Sequence, residues 1–249
     1  WIMINFNFKD SKFCSFCFNF SFNFLFRHYD VDEYFQVKKR IFANQDSSDT
    51  AVLNADQDEF KNVANELKAK VVYFYAEGGD NPNYLAALSV ARALGVSDAV
   101  SQDVFASFKG VEHRQEFVRS LEGIDYINDS KSTTPQAGAW ALTHLTKPLV
   151  MICGGSDKHL EFSFLRTLVK QKVKHMVVFG QTKDILHQTF ADVVGIDVCA
   201  TLKEAVDTAR QKARQGDAVV LSPMCASFDM FNDYEHRGRC FKEIVMELD

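Results

Sequence analysis

IDYINDSKSTT, residues Ile124–Thr134, reads as a strand that runs directly into a small polar loop and then a helix start. Just upstream, Phe117–Arg119 and the Glu122-Gly123 pair complete a hairpin with Ile124–Asn128. Downstream, strand and helix patterns alternate to the end of the chain. The expected strands are Leu149–Cys153, His175–Phe179, Ile196–Ala200 and Ala218–Leu221, and the helices cover about 134–146, 162–172, 182–191, 202–214 and 230–248. Several of these strands are apolar almost throughout, as happens when helices cover both faces of a sheet. Residues 110–249 are therefore expected to form a mainly parallel α/β sheet, with ligands beyond the carboxyl ends of its strands.

Toward the N-terminus the pattern is similar but shorter. Asp32 is expected to cap a helix in which Tyr34, Val37, Lys38 and Ile41 share a side. Ala51–Asn54 and Val71–Tyr75 read as strands, and Asp58–Lys68 as a helix. A loop at Gly78-Gly79-Asp80-Asn81-Pro82 precedes a helix over Asn83–Leu94, closed by Gly95, and a further helix at about 100–107. Gly110 opens the second unit. Residues 1–26 stand apart. Phe16, Phe18, Phe20, Phe22, Phe24 and Phe26 alternate with smaller or polar residues, the period of a strand with one aromatic face. Such a face needs cover. The Phe, Asn, Ser and Cys bias here also matches what a shifted reading frame would produce.

Whole-chain composition narrows the classes. The 249 residues are 47% hydrophobic and 24% charged, ordinary for a globular protein. A net charge of −5 argues against a nucleic-acid partner, which selects a basic surface. No apolar run is long enough to span a bilayer. Six scattered cysteines suit the reducing cytoplasm, and Cys14-x-x-Cys17 has no second pair at zinc spacing.

Three clusters follow strands of the second unit: Asn128–Thr134, Gly154-Gly155-Ser156-Asp157-Lys158, and Ser222–Asp229. Each is small, polar and followed by a helix, whose first N–H groups favour carboxylates and phosphates. Lys131 and Lys158 add full positive charge. Ordinary caps and turns use the same residue types; the coincidence of three such loops with two lysines is what points to an anion-binding cleft. His113-Arg114 lies at the junction of the two units.

These motifs recur in order: Gly110-Val-Glu-His-Arg114, Ile127-Asn-Asp-Ser-Lys-Ser-Thr133, Gly154-Gly155-x-x-Lys158, Ser222-Pro-x-x-Ala-Ser227-x-Asp229-x-Phe231 and Arg237-Gly-x-x-Phe241. The sequence resembles the Mur ligase family, in its D-glutamate-adding branch, over about residues 27–249. The resemblance implies a cytoplasmic, ATP- and Mg2+-dependent ligase that joins D-glutamate to UDP-N-acetylmuramoyl-L-alanine. It implies an incomplete central ATPase-type α/β domain at 27–109 and a Rossmann-like, amino-acid-binding C-terminal domain at 110–249. By the same resemblance Lys38 is the lysine that the family carbamylates to assist magnesium. Asn83, His113, Arg114 and Asp129 fall at nucleotide-contacting positions, with Asn81 a competing match for Asn83. Lys131, Thr133, Lys158, Ser227 and Tyr234 fall at the D-glutamate pocket, where Tyr234 stands at a position usually Phe.

The departures are specific. No Gly-x-x-Gly-Lys-Thr/Ser phosphate loop occurs in the 249 residues, nor does a UDP-binding domain. Arg27-His28 fits the end of a family histidine element, which puts the metal-binding position on Phe24 and leaves His28 outside it. The 249 residues by themselves are thus expected to lack ligase turnover. The competing readings are a noncatalytic ligand-binding remnant and another Mur or folylpolyglutamate ligase; Asn128–Thr133 argues against the latter.

Overall fold

The computed structural model describes residues 2–8, 11–17, 31–75, 81–157 and 159–249, the first two segments and residues 31, 32 and 34 by backbone alone. The chain divides into two compact units at Lys109/Gly110. In the first, strands β1 (Ile2–Phe8), β2 (Ser11–Cys17), β3 (Thr50–Asn54) and β4 (Lys70–Phe74) form a sheet in that order. β1 and β2 are an antiparallel hairpin, and β2 continues the sheet in parallel with β3, Phe13 opposite Thr50. Of the Phe-rich alternation, Phe16 lies in β2, and Phe18 to Phe26 lie outside the described residues.

Around β3 the alternation of the strand builds two layers. Ala51 and Leu53 pack with Phe42, Phe60 and Val63, whereas Val52 packs with Phe74, Ala86 and Val90. The helices supplying these groups are α1 (Val31–Lys39) with the 3-10 turn Arg40–Phe42, α2 (Asp58–Ala64) and α3 (Pro82–Ala93), followed by α4 (Asp98–Ser107). α1 is described from Val31, which places Asp32 within the helix and not at a position before it. α2 ends at Ala64, four residues short of the expected Lys68, where Asn65, Glu66 and Leu67 close into tighter turns.

The second unit holds a six-stranded sheet in the order β5 (Glu116–Leu121), β6 (Ile124–Asn128), β10 (Ala218–Leu221), β7 (Leu149–Gly154), β8 (Val173–Phe179) and β9 (Gly195–Val198). β5 runs antiparallel to β6; all other neighbours are parallel. Helices α5 (Pro135–His144), α6 (Arg166–Lys172) and α7 (Lys183–Phe190) cover one face. α8 (Leu202–Lys212) and α9 (Tyr234–Met246) cover the other. The apolar strands are buried on both sides, as expected. Leu149, Met151 and Cys153 of β7 face the first layer, and Val150 and Ile152 the second. Among the described residues no helix is long and apolar enough to cross a membrane.

The last strand, β10, inserts between β6 and β7. β6 and β7 feed helices on one face, while β10 feeds α9 on the opposite face. Connections leaving adjacent parallel strands in opposite directions open a crevice at their carboxyl ends. The three polar loops of the second unit are the ones that leave these strands.

Candidate functional site

The loops after β6, β7 and β10 are knitted together by main chain. Asp129 N–H donates to Leu221 O at 2.8 Å, Gly154 N–H to Pro223 O at 2.9 Å, and Ser156 N–H to Ala226 O at 2.9 Å. The glycine pair allows this approach. Gly154 and Gly155 have φ of 120° and 154°, and a Cβ on either would lie 2.0 Å from Phe179 O or 2.1 Å from Ala226 O.

At the centre of the knot is Arg237, fully buried on α9. Its Nε donates to Ser130 Oγ at 3.0 Å and its Nη2 to Ser130 O at 2.9 Å. The guanidinium also donates to Cys225 O at 3.1 Å and Ala226 O at 3.3 Å. Ser130 Oγ–H in turn donates a hydrogen bond to Tyr234 O at 2.7 Å. All these acceptors are neutral, and burial pushes the Arg237 guanidinium down to about 10, so it stays charged at neutral pH. One side chain thus ties the β6 loop to the β10 loop. From sequence alone Arg237-Gly238 carries no assigned role, since arginine is ordinarily a surface residue. The glycine beside it was the available signal: a Cβ at Gly238 would meet His113 Nδ1 at 2.2 Å.

Most of the residues picked out in the second unit come together here. Lys131 is half-buried, its Nζ 5.3 Å from the centre of the Tyr234 ring. Burial and then the nearby Arg114 charge lower the Lys131 ammonium, against a weaker pull from Glu235. Tyr234 donates its hydroxyl to Glu235 Oε1 at 3.0 Å. Thr133 N–H donates to Lys131 O at 2.9 Å, and Thr134 Oγ1 caps α5 by accepting Ala137 N–H at 3.3 Å. Ser227 is buried, and its carbonyl accepts Met230 and Phe231 N–H. Lys158 lies outside the described residues; the main-chain N–H of its neighbour Asp157 donates to Gln181 Oε1, in the loop after β8, at 3.3 Å.

On the other side of the β6 loop, His113 is buried and Arg114 exposed. Asn128 Nδ2 donates to His113 Nδ1 at 2.9 Å, and burial lowers the imidazole below its usual range. Glu112, His113 and Glu116 bring three potential metal-ligating atoms within 4.8 Å of one another. Lys242 Nζ already serves both carboxylates there, at 2.5 Å and 3.0 Å, as an internal cation. Lys38 and Asn83 belong to the first unit. Lys38 sits half-buried in the last turn of α1. Asn81 is spent as the N-cap of α3, its Oδ1 accepting Asn83 N–H at 3.0 Å.

Asp129 is almost wholly buried, with Oδ2 accepting Ser222 Oγ–H at 2.8 Å and Oδ1 accepting Gln115 N–H at 3.2 Å. Burial pushes its carboxyl up to about 7, against these hydrogen bonds and the Arg114 charge. A raised carboxyl stabilises the fold fully below its unfolded value of about 3.9, and that contribution is lost as pH rises through about 7. The span corresponds to at most roughly 4 kcal/mol. Asp129→Asn keeps an acceptor for Gln115 N–H and removes the titration. Its unfolding midpoint is expected to gain on the parent between pH 5 and pH 8. A difference between the two proteins that stays constant over this range would show that Asp129 does not titrate there.

The family described as "Mur ligase middle domain" matches residues 17–114, and "Mur ligase, glutamate ligase domain" matches 113–225. The protein named UDP-N-acetylmuramoylalanine--D-glutamate ligase from Clostridioides difficile is 35% identical over 261 residues, 89% of this chain and 57% of that protein. Its namesake from Desulfitobacterium hafniense is 38% identical over 88% of this chain and 56% of its own length. The Chlorobaculum parvum namesake reaches 45% over 67% of this chain and 36% of its own length. This chain thus spans a little over half the length of the first two. Two solved structures share the fold: E. coli FolC in complex with ADP (TM-score 0.66, 17% identity, 93% of this chain and 61% of that one) and MurC from Thermotoga maritima (TM-score 0.64, 13% identity, 88% and 58%). With its middle-domain and glutamate-ligase-domain matches together covering residues 17–225, the chain belongs to the Mur ligase family.

Proposed function

We propose that this chain supplies the middle and C-terminal parts of a cytoplasmic ligase that adds D-glutamate to UDP-N-acetylmuramoyl-L-alanine in cell-wall synthesis, at the expense of ATP. The observation that carries this reading is the convergence of the β6, β7 and β10 loops, tied by Arg237, with Lys131, Thr133 and Ser227 on them. D-glutamate offers two carboxylates. Lys158, Ser227 and the Lys131–Thr133 loop hold them, and Tyr234 gives the pocket an aromatic wall that also steadies Lys131. The amine of D-glutamate is thereby aimed at the activated carboxyl of the muramoyl substrate, converting an encounter of two molecules into an oriented attack.

Arg114, exposed beside this pocket, faces the nucleotide phosphates in this reading and spreads the charge of phosphoryl transfer. Asn83 belongs near the adenine. His113 and Asp129 serve the nucleotide side through the backbone they hold, since His113 Nδ1 and both Asp129 oxygens are already engaged. ATP and Mg2+ fit these residues only in part. The 249 residues contain no glycine-rich phosphate cradle, and Lys242 fills the acidic cluster at Glu112 and Glu116. Lys38, when carbamylated, would add a carboxylate-like ligand for magnesium.

Loss of one charge-assisted hydrogen bond costs about 1.5–3 kcal/mol, or roughly ten- to a hundredfold in affinity. Lys158→Ala is expected to weaken D-glutamate binding by that factor and to leave ATP binding nearly unchanged. Calorimetric titration of each ligand into parent and variant measures it. Weakened ATP binding with D-glutamate binding intact would assign this loop to the nucleotide instead.

A further inference from the structure

Arg114 is flanked on both sides by backbone that L-residues rarely adopt. His113 has φ of 65° and Gln115 of 45°, neither being glycine. Two such departures, one on either side of an exposed arginine, need something to hold them, because an unconstrained turn relaxes. The holders are carboxylates. Glu116 Oε2 accepts His113 N–H at 3.0 Å, and Asp129 Oδ1 accepts Gln115 N–H at 3.2 Å. Arg114 N–H itself closes the turn on Val111 O at 3.1 Å.

Glu116 is the better connected of the two. The oxygen that holds His113 N–H also accepts Asn128 Nδ2–H at 3.0 Å, at the end of β6. Its second oxygen is held by Lys242 of α9 at 3.0 Å. His113 O in turn accepts Lys131 N–H at 2.9 Å, so the turn that presents Arg114 and the loop that presents Lys131 share one support. A surface carboxylate needed only for solubility would not spend both oxygens this way.

We propose that Glu116 is a positioning residue for Arg114: its carboxylate fixes the left-handed turn at His113 and so sets where the Arg114 guanidinium projects. The proposal rests on the reading of Arg114 as a phosphate contact only for its functional consequence; the clamp itself is a statement about the turn. A purely structural glutamate would stabilise the unit without any special relation to Arg114, and the two roles part in a double-variant comparison.

The test uses the 249-residue chain, its Glu116→Ala, Glu116→Gln and Arg114→Ala variants, and the Arg114→Ala/Glu116→Ala pair. Amide hydrogen exchange followed by NMR is the first readout. Glu116→Ala is expected to speed exchange at His113 N–H by about tenfold or more while Val177 in β8 keeps its protection, a local opening and not global unfolding. Glu116→Gln retains an acceptor oxygen and is expected to restore most of the protection. Unchanged exchange at His113 in Glu116→Ala would overturn the proposal. ATP titration is the second readout. Glu116→Ala is expected to weaken ATP binding about as much as Arg114→Ala does, with no further loss in the pair. Independent, multiplying losses would also overturn it. If Arg114→Ala leaves ATP affinity untouched, the phosphate role of Arg114 fails, and the exchange data alone decide the clamp.

Discussion

Arg237→Met is expected to lower the stability of the C-terminal unit by about 3–5 kcal/mol. Methionine matches the apolar stem of arginine but leaves the guanidinium space empty and donates no hydrogen bond. The carbonyls of Ser130, Cys225 and Ala226 would keep their burial and lose their donor, and each orphaned acceptor costs about 1–3 kcal/mol. Replacing a buried ion pair by apolar groups is often neutral, because both charges disappear together. That escape is closed here, since the partners are main-chain groups and remain. The unfolding midpoint is expected to fall by about 10 °C. Arg237→Lys should recover part of the loss, since an ammonium has three donors but no planar fork to span both loops. Thermal unfolding followed by circular dichroism measures both. A midpoint for Arg237→Met within about 2 °C of the parent would contradict the staple.

Gly154→Ala is expected to be at least as damaging, at about 4 kcal/mol or more. The added methyl would sit 2.0 Å from Phe179 O, inside the hydrogen-bonded pairing of β7 and β8. Backbone cannot swing aside as a flexible side chain would, and φ of 120° is itself strained for any residue with a Cβ. Gly123→Ala is the milder contrast: at φ of 76° it carries left-handed strain of about 1–2 kcal/mol, but its methyl would meet only the Gln215 side chain, which is able to move. Urea midpoints separate the two cases, and equal midpoints for Gly154→Ala and the parent would mean that the strands do not approach this closely.

Much of the second unit was legible because burial on both faces leaves uninterrupted apolar strands, and Gly, Ser and Asp mark their ends. Leu149–Cys153 and Ala218–Leu221 lie in the observed strands, the first extended by one residue. The last helix was less legible. It was expected from 230 but starts at Tyr234, because Met230 and Phe231 turn back onto Ser227 O and Asp233 caps the helix by accepting His236 N–H at 2.6 Å. The helix expected over 162–172 opens as a 3-10 turn at Ser163–Leu165. Beyond the hairpin of its first two strands, the strand order was not readable. Periodicity reports which face is buried and says nothing about neighbours, yet the insertion of β10 between β6 and β7 is what brings the three loops together.

The ligand-facing candidates Lys131, Thr133 and Ser227 were legible as charge and hydroxyl groups on loops after strands. Their supports were not. Glu116 lies in a strand and Arg237 in a helix, where a charged residue by default reads as a solvated face. Only the fold shows that one carboxylate meets His113 N–H, Asn128 and Lys242, and that one guanidinium is shared by two loops.

The most direct measurement is calorimetric titration of the 249-residue chain with D-glutamate and, in parallel, L-glutamate. If the three loops form an amino-acid pocket of the proposed kind, D-glutamate binds saturably at one site. Its mirror image, unable to reach the same donors with both carboxylates, then binds at least about tenfold more weakly. No saturable heat with D-glutamate, or equal affinity for the two enantiomers, would contradict the assignment of this site.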